Sequence, residues 1–278
     1  MAMLSVQDVS FAYGTNQIFQ SLSFQVKKGE IFCLIGPNGC GKTTLLDCLL
    51  GYHHFHSGSY QLMGKKIAQY RSGNIARFIG YVPQIHERTF PYLVREIVAM
   101  GRAAHLGFFE SPSRQDRRLA HEALERIGIG HLSEQPYTLI SGGELQLVMI
   151  ARALVQETPV IVMDEPTAHL DFRYELIVLE MISELVRERR LSVVMATHVP
   201  NHALYFQSCD LPTSIALFNN GQFLAMGDPE SVLSEDNLEQ LYGICAHIAT
   251  VKNRGGEARK HIIPFGTKKA GMDNGGRC

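Results

Sequence analysis

Residues 4–9 and 18–26 alternate apolar and polar side chains, the period of strands that bury one face. Three later runs do not alternate. EIFCLIG (30–36), VIVMDE (160–165) and SVVMAT (192–197) are short and apolar almost throughout, as strands are when a parallel sheet is covered on both faces. Helical periodicity fills the intervals at 42–50, 200–207 and 172–189, where Ile177, Met181 and Leu185 share one side. This alternation predicts an α/β fold with a mostly parallel sheet, joined to an antiparallel β subdomain made by the N-terminal strands.

Between 91 and 155 the rhythm changes. LVREIVAMGRAA, then SRQDRRLAHEALERIGI with Ser113 placed to cap its first turn, then 143–156 read as successive helices with no strand among them. The segment is expected to be a helical lobe inserted between the two halves of the core, 1–90 and 156–250. LFNNGQFLAMG (217–227) predicts a hairpin turning at Asn-Asn-Gly, and 228–243 one or two short helices. Residues 251–278 are rich in Gly, Lys and Arg, so a flexible basic tail is expected after a domain spanning 1–250.

Composition narrows the class. With 278 residues, 45% of them hydrophobic, the chain is long enough for a full core. A formal net charge of −1 offers no electrostatic footprint for nucleic acid, and none is expected as a partner. The cysteines at 33, 40, 48, 209, 245 and 278 form no C-x-x-C pair, which points to a reducing compartment. MAMLSVQDVSFAYG lacks the basic head and apolar stretch of a secretory leader. No run reaches the roughly 18–20 apolar residues of a membrane span, so any attachment to a membrane is expected to run through a partner.

The chemistry is concentrated in a few stretches. GPNGCGKTT matches G-x-x-x-x-G-K-[ST] from Gly36 to Thr43, directly after an apolar strand and directly before a helix, the context this phosphate loop needs. Gly36, Pro37, Asn38, Gly39, Cys40, Gly41, Lys42, Thr43 and Thr44 would wrap a nucleotide's phosphates, with the amides from Gly39 to Thr44 turned inward. Lys42 would neutralise β/γ-phosphate charge, and the Thr43 hydroxyl could ligate Mg²⁺. VIVMDEPT delivers Asp164 and Glu165 to the end of a buried strand. There Asp164 would hold Mg²⁺ through water and Glu165 would serve as general base on an attacking water; an acidic turn is the plain alternative. His198, in MATHVP, ends a neighbouring strand, either as a structural donor or within reach of the γ-phosphate. LISGGELQ places Ser141, Gly142 and Gly143 at a helix start, a second set of amides suited to a phosphate.

Taken in order, FAYG, GPNGCGKTT, YVPQ, LISGGELQ, VIVMDEPT, AHLD and ATH resemble the ATP-binding cassette (ABC) ATPases over roughly residues 3–245. The resemblance implies a P-loop NTPase core and a homodimer in which each copy completes the other's MgATP site. Ser141, Gly142, Gly143 and Asp171 would then act in trans. Tyr13 resembles the aromatic residue that stacks on adenine, although a strand-face tyrosine is the other reading. Gln84 resembles the glutamine that meets Mg²⁺ and the attacking water, and His198 the histidine on the γ-phosphate. The chain departs from the usual pattern at Ile140 and Glu144, which leave the serine and both glycines in place.

IHERTFPYLVREIVAMGRAAHLGFF further resembles importer ATPases for iron chelates, haem and cobalamin. That implies two integral-membrane permease subunits docking near residues 85–108, with Phe90, Pro91, Val94, Met100, Leu106 and Phe108 lining or supporting the groove; core packing within the helical lobe is the other reading, for about half of them. It also implies an external substrate-binding protein and a location on the cytoplasmic face of the inner (cell) membrane. A soluble cassette ATPase, for example in iron–sulfur assembly, is the competing class. YHHFH (52–56) follows the P-loop helix and reads as a surface loop rather than a metal site. Cys40 sits among amides and beside Lys42, which would favour its thiolate; a tolerated variable position is the alternative.

Overall fold

The computed structural model describes residues 2–70, 74–84, 90–107, 110–252 and 254–267. Strands β1 (Ala2–Tyr13), β2 (Asn16–Lys27) and β3 (Ile31–Ile35) precede helix α1 (Lys42–Leu50), and β4 (Ser57–Leu62), β5 (Lys65–Lys66) and β6 (Ile79–Val82) follow it. Helices α2 (Val94–Ala99), α3 (Arg114–Arg126) and α4 (Gly142–Leu154) then succeed one another. The chain returns to alternation with β7 (Val160–Asp164), α5 (Phe172–Arg189), β8 (Ser192–Thr197) and α6 (Asn201–Ser208). Strands β9 (Thr213–Asn219) and β10 (Gln222–Gly227), helices α7 (Pro229–Val232) and α8 (Glu235–Tyr242), and strands β11 (Ile244–Lys252) and β12 (Ala258–Thr267) complete it.

The main sheet runs β6-β7-β8-β3-β9-β10, parallel except for the β9–β10 hairpin, and a second, antiparallel sheet runs β2-β1-β4-β5. Apolar side chains on both faces of the main sheet explain the unbroken runs. Ile31, Cys33 and Ile35 of β3 enter a core shared with α2 to α6, while Phe32 and Leu34 enter another shared with α1 and the antiparallel sheet. β7 divides likewise, Ile161 and Met163 against Val160 and Val162. On α5, Met181 and Leu185 are buried and Ile177 packs half-buried against the same core. The hairpin turns at Asn220 and Gly221, both at positive φ, as a tight two-residue turn between twisted strands requires.

One expectation gives way. Residues 258–267 do not form a loose tail: β12 pairs with β11 from Lys252↔Ala258 to Ile244↔Thr267. The anchors are long-range. Ile262 is buried in the main core, the Asn201 side chain bonds both the N–H and the C=O of Ile262, and Arg259 lies 5.3 Å from the centre of the Tyr205 ring. Residues 268–278 of the predicted tail lie outside the described residues.

Candidate active site

Parallel register brings the chemistry to one edge. Ile35 is level with Thr197, and Asp164 with Ala196, so the segments beginning at Gly36, Glu165 and His198 all leave the sheet at its C-terminal end. Val82 is level with Met163, which carries Gln84, exposed just beyond β6, toward the same end.

The glycines of the P-loop have different reasons to be there. A Cβ on Gly36 would lie 2.2 Å from the Phe218 carbonyl oxygen, so the close neighbour is the adjacent strand. Gly41 holds φ +106 directly before α1 and would press on Ile18 at 2.9 Å. Gly39, at φ +80, has open space where a Cβ would be, so backbone conformation is what requires it.

Lys42 is buried. Its Nζ donates to the carbonyls of Gly36 (2.8 Å) and Pro37 (3.1 Å) and lies 3.2 Å from Glu165 Oε1. The Thr43 hydroxyl donates to Asp164 Oδ2 at 2.7 Å, while Asp164 Oδ1 is buried with no hydrogen-bond partner. Burial pushes the Asp164 carboxyl above its ordinary range, and the Thr43 hydrogen bond and Lys42 pull it back in part. A buried carboxylate with one bare oxygen beside a hydroxyl is a hard-oxygen donor set that fits Mg²⁺.

Glu165 is 6% exposed and holds φ +48, with its amide bonded to the Ala196 carbonyl at 2.9 Å. Its Oε2 meets His198 Nδ1, so lysine, carboxylate and imidazole form one chain of contacts. Behind it, buried His202 joins Thr197 Oγ1 (3.0 Å) to Glu175 (2.8 Å), and the Thr197 hydroxyl accepts the Val199 amide at 3.0 Å. His202 holds the Glu175 carboxyl below its usual range. These supporting residues, and Tyr242, whose hydroxyl donates to the His198 carbonyl, were not marked by the sequence reading. His202 has no motif to announce it, and Tyr242 occupies an ordinary apolar position of a helical pattern.

Tyr13 ends β1 with its ring 48% exposed, edge-on to Phe11, and its hydroxyl lies 3.1 Å from His53 Nε2. His53 and His56 both lie against Phe11, so two imidazoles of YHHFH line an aromatic group beneath Tyr13. Of the two readings of Cys40, the thiolate one finds no support. Burial pushes its thiol up, and Lys42 and nearby amides offset this only in part, so the thiolate is disfavoured.

At the start of α4, Ser141 accepts the Glu144 amide (3.3 Å), and Glu144 Oε2 accepts from both the Ser141 amide (2.8 Å) and hydroxyl (2.7 Å). Those two bonds hold the Glu144 carboxyl below its usual range. Ser141 and Gly142 face solvent, and Gly143 packs under the ring of Tyr174. Asp171 caps α5 through the Tyr174 amide at 2.9 Å and is exposed. Leu139 and Phe172, on the same two segments, are 77% and 87% exposed.

A cleft of about 850 Å³ separates residues 48–83 from the helical lobe, with Tyr52, Tyr81, Met100, Ala104 and Arg152 among its walls. Of the residues predicted to form a groove, Met100 lies on this cleft, Phe90 and Pro91 are exposed, and Leu106 is half-buried. Val94 is instead fully buried in the core, because α2 turns it inward. Phe108 and residues 85–89 lie outside the described residues.

The ABC transporter family model matches residues 19–168. The iron(3+)-hydroxamate import ATP-binding protein FhuC of Bacillus subtilis is 35% identical over 250 residues, 90% of this chain and 91% of the relative. The molybdate import ATP-binding protein MolC of Haemophilus influenzae is 38% identical over 240 residues, 86% and 87% of the two chains. Among solved structures, a metal-chelate type ABC transporter in an inward-facing conformation superimposes with a TM-score of 0.83 at 33% identity, covering 95% of this chain and 97% of the other.

Proposed function

The chain belongs to the ABC transporter family and is an ATP-binding subunit with the family's ATPase activity; from that premise we propose that two copies close head to tail around two ATP molecules and drive uptake of a metal chelate or related nutrient through separate permease subunits. The convergence of Lys42, Thr43, Asp164, Glu165 and His198 on one sheet edge carries the reading, while exposed Ser141, Gly142 and Asp171 stand at two helix starts where a second copy could use them. Relatives named for import of iron hydroxamate and molybdate support an importer rather than a soluble assembly ATPase. The cleft beside the helical lobe is our candidate for the permease contact, and exposed Phe90 and Tyr92 offer further apolar surface in the same stretch of chain. No helix among the described residues is long and apolar enough to cross a membrane. Relatives that are import ATP-binding proteins support a place on the cytoplasmic face of the membrane, held there by those permeases.

The chemistry follows from the side chains. Glu165 takes a proton from water as the water attacks the γ-phosphorus, the bond to the β-phosphate oxygen breaks, and ADP leaves. Lys42 stabilises negative charge on the β- and γ-phosphates, and His198 both orients Glu165 and faces the transferred group. Mg²⁺, held by Thr43, Asp164 and Gln84, would supply charge neutralisation on the same phosphates. Ser141 and Gly143 of the opposite copy complete the γ-phosphate cradle.

Light scattering tests the dimer. Glu165→Gln saturated with MgATP is expected to run as a dimer, and adding Ser141→Arg should return it to a monomer. A strictly monomeric Glu165→Gln, alone and on its permease, would remove the trans site. Adenine contact is tested separately. Tyr13→Ala should weaken ATP binding by calorimetry about five- to thirtyfold, the loss of one base–aromatic stack. An unchanged Kd would leave Tyr13 a strand-face residue.

A further inference from the structure

The segment from His198 to Asn201 connects β8 to α6, and the C-terminal elements grip it at both ends. At one end the Tyr242 hydroxyl, from the last residue of α8, donates to the main-chain carbonyl of His198 at 3.0 Å. At the other, the Asn201 side chain accepts the Ile262 amide at 2.9 Å and donates to the Ile262 carbonyl at 3.3 Å, fastening β12 to the first residue of α6. From inside, the Thr197 hydroxyl takes the Val199 amide. The His198 side chain itself is 45% exposed, so side-chain packing alone does little to fix it and its place depends on how its backbone is held.

We propose that Tyr242 is a positioning residue for ATP hydrolysis: it fixes the main chain of His198 so that the imidazole meets Glu165 and the γ-phosphate, making α8 and the β11–β12 hairpin part of the catalytic apparatus. The inference rests on the role given to His198 above. The phenol is suited to a permanent donor's task. Burial pushes its pKa up, and Cys40 and Glu165 nearby push in the same direction, so it keeps its proton throughout the working pH range.

Tyr242→Phe removes one hydroxyl and keeps the ring that packs against the core. It is expected to lower kcat for ATP hydrolysis about three- to tenfold while KM for ATP moves less than about twofold. Single-turnover hydrolysis in a His198→Ala background supplies the second reading. There the same substitution should change the rate by less than about twofold, since its effect passes through the missing imidazole. An unchanged kcat in Tyr242→Phe overturns the proposal, and so does an equal loss in the His198→Ala background, which would show a general effect on the fold. Inactive Glu165→Gln beside fully active Tyr242→Phe removes only this role. Normal hydrolysis by Glu165→Gln instead removes the reading of the site itself, and this role with it.

Discussion

Glu165→Gln is expected to slow steady-state ATP hydrolysis about 10²- to 10⁴-fold while the Kd for ATP stays within a few-fold of the parent. Glutamine keeps the length and planarity of the side chain but cannot take a proton from water. Its effect on binding should be small for a second reason. Lys42 is shared between the Gly36 and Pro37 carbonyls and Glu165, and a γ-phosphate that draws Lys42 to itself has to part it from that carboxylate. The neutral amide loosens the hold, so affinity should stay level or rise slightly. Phosphate release and equilibrium binding on the same preparation check both halves. A parent-like rate would show that another group accepts the proton.

Gly143→Ala should reduce hydrolysis about 10- to 100-fold and leave nucleotide binding at the P-loop intact, because displacements near 1 Å in a positioned catalytic group have effects of that size. A Cβ on Gly143 would lie 2.6 Å from Cγ of Tyr174 and within 2.8 Å of both Cδ atoms, so it meets the near edge of the ring and not a flexible side-chain end. The first turn of α4 should lift, which in the proposed dimer carries Ser141 and its neighbouring amides away from the partner's γ-phosphate. Removing the ring supplies the control. Tyr174→Ala in the same chain should restore room and recover most of the rate. Full activity in Gly143→Ala, measured by phosphate release, would mean that this helix start completes no site.

The buried parallel strands were legible because each is apolar on both faces, and β3 shows why: Phe32 and Leu34 enter one core, Ile31, Cys33 and Ile35 the other. The P-loop was legible for a different reason, since its glycines, lysine and threonine sit at fixed intervals between strand and helix. What escaped detection depends on distant partners. β12 offers Ile262 and Ile263 among charged residues, a weak pattern alone, and becomes a strand through Asn201, Tyr205 and pairing with β11. Val94 takes the core alternative, because a resemblance that groups it with the groove does not say which way α2 turns it. At Cys40 burial around the thiol outweighs the charge beside it in the sequence, which a residue pattern alone does not show.

Glu144 gives the start of α4 an occupied resting condition. Its carboxylate already occupies the Ser141 amide and hydroxyl. An incoming triphosphate from the facing copy would find this socket tenanted by a tethered anion of its own sign. Closure would then be an exchange of one negative guest for another, and once phosphate has departed the carboxylate is at hand to reclaim its seat. A latch of that kind favours prompt reopening over tight clasping.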